Sequence, residues 1–468
     1  MYKVPSNIDL NKIFLVERKD TEGRLDSFFY KDEFQKLNDK LNNCKFKTVY
    51  FKDIIKTINN GYDFRDYKTE GVPYIKVANV KKGEFDFSKI QYIQFGSDDI
   101  SKNIQLKKGN ILLTRKGTYG NALSLDKDYD YVISSEVFYI ELKQELVISK
   151  YLEIFFNSIS GQKQFTRYSI GAIMGSLSQD ALKILKIPLP DLSIQNDIVE
   201  IYQEANNFKK QKHSEARILL NKIDEYLLNE LGLKLPLINN TIKSRIFEVN
   251  LNDISGTRFD PDYIGKYEFL INQKGNFNFS KLGDLLISSP QYGANEEAIK
   301  GNSENDIRYI RITDIDELGN LKKKGWKTAN NTLDKYLLKY DDILFARSGS
   351  VGKCYIHKDV SKKSIFAGYL IRFKLNLDKI YPDYAFYYCN SSIYKYWVSA
   401  IERPSVQSNI NSEEFKSLPI PLPPMSKQIE ISEKISEIRK KSKALIDESN
   451  FYFDNKKREI ESLILNIN

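Results

Sequence analysis

Ile187-Pro188-Leu189-Pro190 returns as Ile420-Pro421-Leu422-Pro423, 233 residues further along the chain. The same spacing relates Gln195 to Gln428, Tyr151 to Tyr384 and Asn157 to Asn390. Near the start, Ile13-Phe14 pairs with Ile246-Phe247, and Arg24-Leu25-Asp26 pairs with Arg258-Phe259-Asp260 one residue further on. In the middle, 73–77 (PYIKV) matches 308–312 (RYIRI), and 106–120 (LKKGNILLTRKGTYG) matches 338–352 (LKYDDILFARSGSVG) at a spacing of 232. Two such units nearly exhaust the 468 residues. A repeat this long predicts two similar globular lobes rather than a solenoid, whose units run to roughly 20–50 residues.

Each unit changes character in the same order. Residues 46–190 are rich in β-branched and aromatic side chains punctuated by Gly, Asn and Asp, as in Tyr74-Ile75-Lys76-Val77, Ile111-Leu112-Leu113-Thr114 and Tyr131-Val132-Ile133. Such runs predict short strands joined by turns. A helical stretch near Tyr151–Tyr168 and a strand at Ile184–Leu189 follow, and 280–423 repeats the pattern. Both lobes therefore read as α+β with a small curved sheet or partial barrel.

Behind each Pro-rich strand end lies a long stretch without Pro or internal Gly, Ser193–Leu231 and Ser426–Leu465. Apolar residues in the first fall at Ile194, Ile198, Ile201, Ala205 and Phe208 and, after a polar break around Lys212, at Ala216, Leu219, Ile223 and Tyr226; in the second they fall at Ile431, Ile435, Ile438, Leu445 and Tyr452, with Leu463 closing the run. Steps of three and four are coiled-coil spacing. Ser193 and Ser426 suit helix caps and Gly232 a stop. About 40 residues at 1.5 Å each make a rod of roughly 60 Å. The stripe is narrow, which favours two helices pairing with each other; the alternative is a helix packed on its own lobe, where the stripe is usually wider.

Composition removes several classes of function. No run approaches the ~18–20 consecutive apolar residues of a membrane-spanning helix, and the first residues lack an apolar signal core. A cytoplasmic location is the expectation. Cys44, Cys354 and Cys389 cannot build a disulfide framework and are not spaced as zinc ligands; histidine is limited to His213 and His357. The net charge of +9 is modest and by itself identifies no polyanionic partner.

Catalytic patterns are scarce. Gly349-Ser350-Val351-Gly352-Lys353 has two residues between its glycines where a phosphate-binding loop needs four. Asp383, Glu414 and Lys416 mimic the acidic-acidic-lysine set of metal-dependent nucleases, but the first copy has Lys150 and Ala181 at the positions of Asp383 and Glu414. No Gly-rich loop announces a dinucleotide or methyl-donor site, and no base-methylating Asn/Asp-Pro-Pro-aromatic tetrapeptide occurs.

What recurs is Arg-x-Gly-x-x-Gly directly after an apolar strand, at 115–120 and 347–352. Its glycines allow a tight turn whose amides face a phosphate, and its guanidinium can clamp phosphate or read a guanine edge. A glycine hairpin with a solvated arginine explains one occurrence equally well; two occurrences favour nucleic-acid contact through Arg115, Lys116, Thr118 and Tyr119, and through Arg347, Ser348, Ser350 and Lys353. Lys76, Lys81 and Lys82, with Arg311 and Lys322-Lys323-Lys324, add cations to the two lobes. A second candidate region precedes each Pro-rich strand. It comprises Lys163, Gln164, Arg167, Tyr168 and Ser169 in Gln162–Ser169, and Arg403, Ser405, Gln407 and Asn409 in Ala400–Asn409. These side chains suit phosphates and base edges, and they differ between copies whose flanks match, so two lobes touching bases would read different sequences. A solvated helix end explains the same residues about as well.

The order of parts, two α+β lobes each closed by Ile-Pro-Leu-Pro and followed by a Gln-bearing helix start (Ile194-Gln195, Lys427-Gln428-Ile429) and a long helix, resembles the specificity subunit of type I restriction-modification systems. The resemblance spans nearly the whole chain. It implies an N-terminal segment (1–45), a first target recognition domain (46–190), a spacer helix (191–233), a connecting segment repeating the N-terminal one (234–279), a second target recognition domain (280–423) and a second spacer helix (424–468). The helices would form an antiparallel coiled coil fixing the distance between the halves of a split DNA target. It further implies a chain that is not catalytic by itself, partnered by two adenine methyltransferase subunits using S-adenosylmethionine and by ATP- and Mg-dependent translocase-nuclease subunits. The stretch Arg24–Tyr30 is the candidate for docking the methyltransferase. A metal-dependent nuclease and a stand-alone DNA-binding regulator are the competing readings.

Overall fold

The computed structural model describes residues 15–16, 18, 21, 26–94, 104–171, 175–236, 246, 248, 260–301, 305–322, 324–402 and 408–465. It divides into two compact units, residues 1–212 with 447–468, and residues 213–446.

In the first unit, the strands Ile55–Asn60, Val137–Leu142, Ile111–Thr114 and Ala122–Ser124 lie side by side in that order as an antiparallel sheet. The second unit repeats the order with Gln291–Tyr292, Leu370–Phe373, Ile343–Ala346 and Cys354–Ile356. Ile111–Thr114 and Ile343–Ala346 are buried along their whole length, which is why they read as unbroken apolar runs instead of alternating ones. A second sheet differs between the lobes. It has three strands in the first (Gln91–Ile93, Val72–Ile75, Val132–Ile133) and four in the second (Ala298–Lys300, Lys327–Ala329, Arg308–Ile310, Ser364–Phe366). The Ile-Pro-Leu-Pro stretches form short antiparallel ribbons, Thr48–Tyr50 with Lys186–Pro188 and Phe279–Lys281 with Pro419–Pro421.

Tyr151 and Tyr384 show why these positions repeat. Each is fully buried and donates its hydroxyl to a ribbon carbonyl, that of Pro188 and of Pro421, at 2.6 Å in both lobes. The paired glutamines act the same way. Gln195 accepts the N–H of Ile148 and donates to the carbonyls of Leu146 and Pro190; Gln428 accepts from Tyr381 and donates to Lys379 and Pro423. One buried amide thus anchors a loop to the first turn of each long helix, supplying partners the backbone would otherwise lack. The helical stretch near Tyr151–Tyr168 is two helices, Ser149–Asn157 and Ile159–Tyr168, broken where Ser158 caps the second.

The long helices run Leu192–Leu231 and Met425–Leu465. Ser193 and Ser426 are not their caps: the first helical hydrogen bonds go to the carbonyls of Asp191 and Pro424, which puts both serines inside the first turn. Gly232 is the expected stop. It adopts φ +66°, and the N–H groups of Gly232 and Leu233 return to Asn229 and Leu228 as a Schellman motif.

Both sequence readings of these helices hold, in different parts. Ile194, Ile198 and Ile201 pack on the first lobe, and Ile431, Ile435 and Ile223 on the second. In the second unit the helices pair antiparallel, with the Ser442 hydroxyl on the Ala216 carbonyl at 3.2 Å and Lys427 on Glu230 at 2.9 Å. In the first unit Phe208 meets Tyr452 at 4.8 Å and Tyr202 meets Phe453 at 5.5 Å between ring centres. Buried positions along the middle of the helices are mainly small, Ala205, Ala216, Ser442 and Ser449, whereas Leu219, Ile438 and Leu445 are half-buried and Tyr452 lies at the exposed edge.

Each lobe also captures a helix end from the other copy's sequence. Ile460, Ile464 and Leu465 complete the first lobe's core, and Leu227, Leu228 and Leu231 complete the second's. Carboxylates lock these ends: Glu461 accepts the N–H of Ser160 at 2.7 Å, and Asp224 accepts that of Ser392 at 2.7 Å. The N-terminal segment belongs to the first lobe as well. Phe29, Tyr30 and one face of the helix Asp32–Asn42, with Phe34, Leu37 and Leu41, are buried, while Arg24 and Leu25 lie outside the described residues. Within the methyltransferase-docking candidate Phe29 and Tyr30 are therefore interior, whereas Asp26, Ser27 and Phe28 are exposed.

Candidate nucleic-acid interface

In each lobe the Arg-x-Gly-x-x-Gly turn leaves a fully buried strand and reverses into the next, which requires the left-handed backbone that its glycines adopt. Gly117 and Gly120 have φ +73° and +85°, and Gly349 and Gly352 have +74° and +81°. The second glycine of each pair is also confined, because a Cβ would collide with Phe165 at Gly120 and with Val398 at Gly352; the first faces open space. The turn tips are consequently solvent-facing and anchored beneath.

The structure brings this turn against the loop before the Pro-rich strand. Lys116 forms a β-bridge with Ser176, and Ser348 forms one with Asn409. The backbone N–H groups of Leu177 and Ile410 bond the carbonyls of Arg115 and Arg347. The lobe-one partner of 402–409 is thus 169–176, not 162–169. The arginine N–H groups in turn bond the carbonyls of Glu136 and Tyr369, in the tight turn 134–137 or 367–370 that links the two sheets of each lobe. A fourth element closes the arrangement: the buried hydroxyls of Tyr74 and Tyr309 donate to the carbonyls of Tyr62 and Ala294, holding the chain that carries Asp63 and Asn295. Burial raises the pKa of both tyrosines, so they remain donors.

Arg115 lies 5.5 Å from the Phe138 ring centre and donates to the Ser135 carbonyl at 3.4 Å. Arg347 lies 4.9 Å from that of Tyr292, with its Nε 3.3 Å from Oδ1 of Asn409. Around Arg347 a cleft of about 590 Å³ is lined by Asn295, Glu296, Tyr309, Ser348, Tyr369 and Asn409 among others. It combines a cation, two amides, a carboxylate and an exposed phenol, a mixed donor and acceptor surface suited to base edges and phosphates.

Other residues singled out in the sequence fall into separate groups. Thr118 is exposed beside Lys116, and Tyr119 bonds Ser169 at 3.2 Å, so these remain with the first turn. Ser350 is exposed in the second turn, but Lys353 pairs with Glu317 at 2.7 Å. Lys76 approaches the Tyr67 ring and the Gln91 amide, and Lys81 pairs with Asp86 at 3.6 Å. Lys82 and Lys163 line a different cleft of the first unit; burial, then Lys457, lowers the pKa of Lys82, and Lys163 pairs with Glu33. Arg311 forms a bidentate pair with Asp314, which raises its pKa. Lys322 donates to the Thr313 carbonyl, and Lys324 is exposed. Lys323, Arg403, Ser405 and Gln407 lie outside the described residues.

Three expectations are corrected. Gln164, Arg167 and Tyr168 are buried, at 5%, 4% and 8% exposure. Gln164 bonds both the N–H and the carbonyl of Lys186, and Arg167 lies 4.1 Å from the Phe29 ring centre with its Nε on the Phe29 carbonyl. These side chains hold the lobe together and are not available at its surface. The nuclease set is not assembled as a metal site either. Asp383 is salt-bridged to Lys358 at 2.7 Å, Glu414 caps its own short helix, and Lys416 pairs with Glu413. Among the described residues no three His, Cys, Asp or Glu side chains cluster to hold an ion, and no helix is long and apolar enough to cross a membrane.

Comparison with known proteins decides the family. The profile for the type I restriction modification DNA specificity domain matches twice, over residues 26–218 and 274–450. The chain belongs to this family. The specificity subunit of the type I restriction enzyme StySPI from Salmonella potsdam is 22% identical over 384 residues, 78% of this chain and 75% of that one. That of MjaVIII from Methanocaldococcus jannaschii is 22% identical over 427 residues, 86% and 90% of the two chains. A solved chain of a type I R-M system has a TM-score of 0.49 and 13% identity, covering 90% of this chain and 96% of that one. The two profile matches coincide with the two copies, and each lobe of this specificity chain carries its own glycine turn, loop and inter-sheet turn.

The sequence reading missed Asp63, Glu136 and Ser176 in the first lobe and Asn295, Glu296 and Tyr369 in the second. A signal existed. Gly61 and Gly293 match between copies, whereas the residues just beyond them, Tyr62-Asp63 and Ala294-Asn295, do not.

Proposed function

We propose that this specificity chain reads a bipartite, asymmetric DNA target, one half per lobe, and directs partner subunits that carry out the chemistry. One observation carries this reading. The same anchored constellation of glycine turn, loop and inter-sheet turn occurs in both lobes with different side chains at its tips. Shared anchoring supports a common way of docking on the phosphate backbone, and different tips support different half-sites. The paired helices serve as the spacer: recognition modules on one face of B-DNA need centres about 34–36 Å apart, and rigid helices can set such a separation. Methyl transfer with S-adenosylmethionine, and ATP- and Mg-dependent translocation and cleavage, belong to two methyltransferase subunits and to restriction subunits in the cytoplasm.

Methylome sequencing of cells with and without the gene tests this. A two-part adenine-methylated motif with a fixed gap should vanish with the gene. Replacing residues 46–190 by the equivalent lobe of a relative should change one half and leave the other half and the gap intact. A continuous motif, or no motif lost, would overturn the reading, and cleavage by the purified chain with a divalent metal would favour a nuclease.

A further inference from the structure

Resting on the DNA-reading assignment, we infer which residues distinguish the two half-sites: Asp63, Glu136 and Ser176 in the first lobe, and their counterparts Asn295, Tyr369 and Asn409 in the second. The correspondence is fixed by hydrogen bonds rather than by sequence similarity. Phe64 and Glu296 donate their N–H groups to the hydroxyls of Tyr74 and Tyr309, which aligns Asp63 with Asn295. The Arg115 and Arg347 bonds align Glu136 with Tyr369, and the two β-bridges align Ser176 with Asn409.

The Asp63 and Asn295 positions show substitutions coupled to a neighbour, as a reading position held in place requires. In the first lobe the Ser135 hydroxyl donates to the Asp63 carboxylate at 2.5 Å. In the second lobe Gly368 replaces that serine, and a Cβ there would overlap Oδ1 of Asn295. Each lobe therefore shapes the turn between its sheets to the side chain it presents. Asp63, Asn295, Tyr369 and Asn409 are solvent-exposed although the framework under them is buried, the burial pattern of a contact surface.

Their chemistry separates the two readouts. Carboxylates only accept, so Asp63 and Glu136 suit the exocyclic amino group of cytosine. Carboxamides donate and accept together, so Asn295 and Asn409 suit the N6 and N7 edge of adenine. Arg115 and Arg347, common to both lobes, supply the shared cation. The first lobe thus presents acceptors to exposed amino groups and the second presents mixed donor and acceptor amides, so the two half-sites differ at the bases these side chains meet.

The test uses the whole complex in cells, read by methylome sequencing, with Asn409→Ser, which places the first lobe's residue at an exposed position, and with Asn295→Asp combined with Gly368→Ser, which transfers the coupled pair. Each is expected to lower methylation of the original motif by about tenfold or more, or to change preference at one base of the second half, with the first half unchanged. Wild-type motif and methylation level in both variants would overturn the inference while leaving the DNA-reading assignment standing. Loss of selectivity at both halves with Asn409→Ser would also overturn it, since that side chain would then act on the whole complex. A wild-type complex without any sequence-dependent methylation would overturn the DNA-reading assignment itself.

Discussion

The two lobes satisfy the same backbone by different means. In the first, Gln164 reaches the ribbon strand and bonds both the N–H and the carbonyl of Lys186. The equivalent ribbon residue in the second lobe is Pro419, which has no N–H, and its carbonyl is taken by Tyr388. No amide is needed there, and Trp397 occupies the place of Gln164, stacked against Tyr394. A second exchange lies beside the main sheet. The first lobe has a neutral net in which Asn110 donates to the Tyr139 hydroxyl and accepts the Leu142 N–H. The second has a buried ion pair, Arg372 with Asp342 at 3.3 Å, next to buried His357, whose counterpart is Leu125. Each copy meets the pairing needs of its own backbone, and the side chain that does so differs between them.

Breaking the ion pair should have the largest effect. Arg372→Leu leaves Asp342 as an uncompensated buried charge and is expected to destabilise the second lobe by about 3–5 kcal/mol. Tyr139→Phe in the first lobe should cost less, about 1–3 kcal/mol, since it removes only the neutral hydrogen bonds its hydroxyl accepts from Asn110 and the Lys107 N–H. Peptide-resolved hydrogen exchange reads each lobe separately, and equal losses of protection would refute the contrast. Next comes Gln164→Leu, expected to cost about 1–3 kcal/mol because both polar groups of Lys186 lose their partner; denaturant unfolding checks it. Tyr388→Phe should cost about 1 kcal/mol, as it strips one acceptor of its donor.

The smallest effect is a pH dependence confined to one lobe. Burial holds the His357 pKa below its ordinary value, against the opposing pull of Asp342 and Asp359. Above pH about 6.5 the imidazole is neutral in both folded and unfolded chains. As pH falls below that value the unfolded chain takes up the proton first, so the second lobe loses stability while the first does not. Thermal melts from pH 7.5 to 6 should show the decline, and His357→Leu should flatten it.

Gln164 also shows why site residues were hard to see. Arg, Gln and Tyr near a helix end have the same composition whether they face DNA or close a core, and burial separates the cases. Asp63 and Asn295 escaped notice for the opposite reason. Nothing local marks them, and their meaning comes from Ser135 and Gly368, about 70 residues away, which the fold sets beside them.

The amino-acid sequence by itself determined the duplication, the α+β class, the two long helices and the paired turns, because these rest on spacing, apolar periodicity and glycine chemistry, all of which act over short stretches of chain. Tertiary structure alone decided which turn meets which loop, which cations are tied in ion pairs, and that each lobe's core is finished by a helix end from far along the chain. The Glu461 lock on Ser160 joins residues 301 positions apart. Contacts of that range are set by where the assembled surfaces come to lie, and no local pattern encodes them.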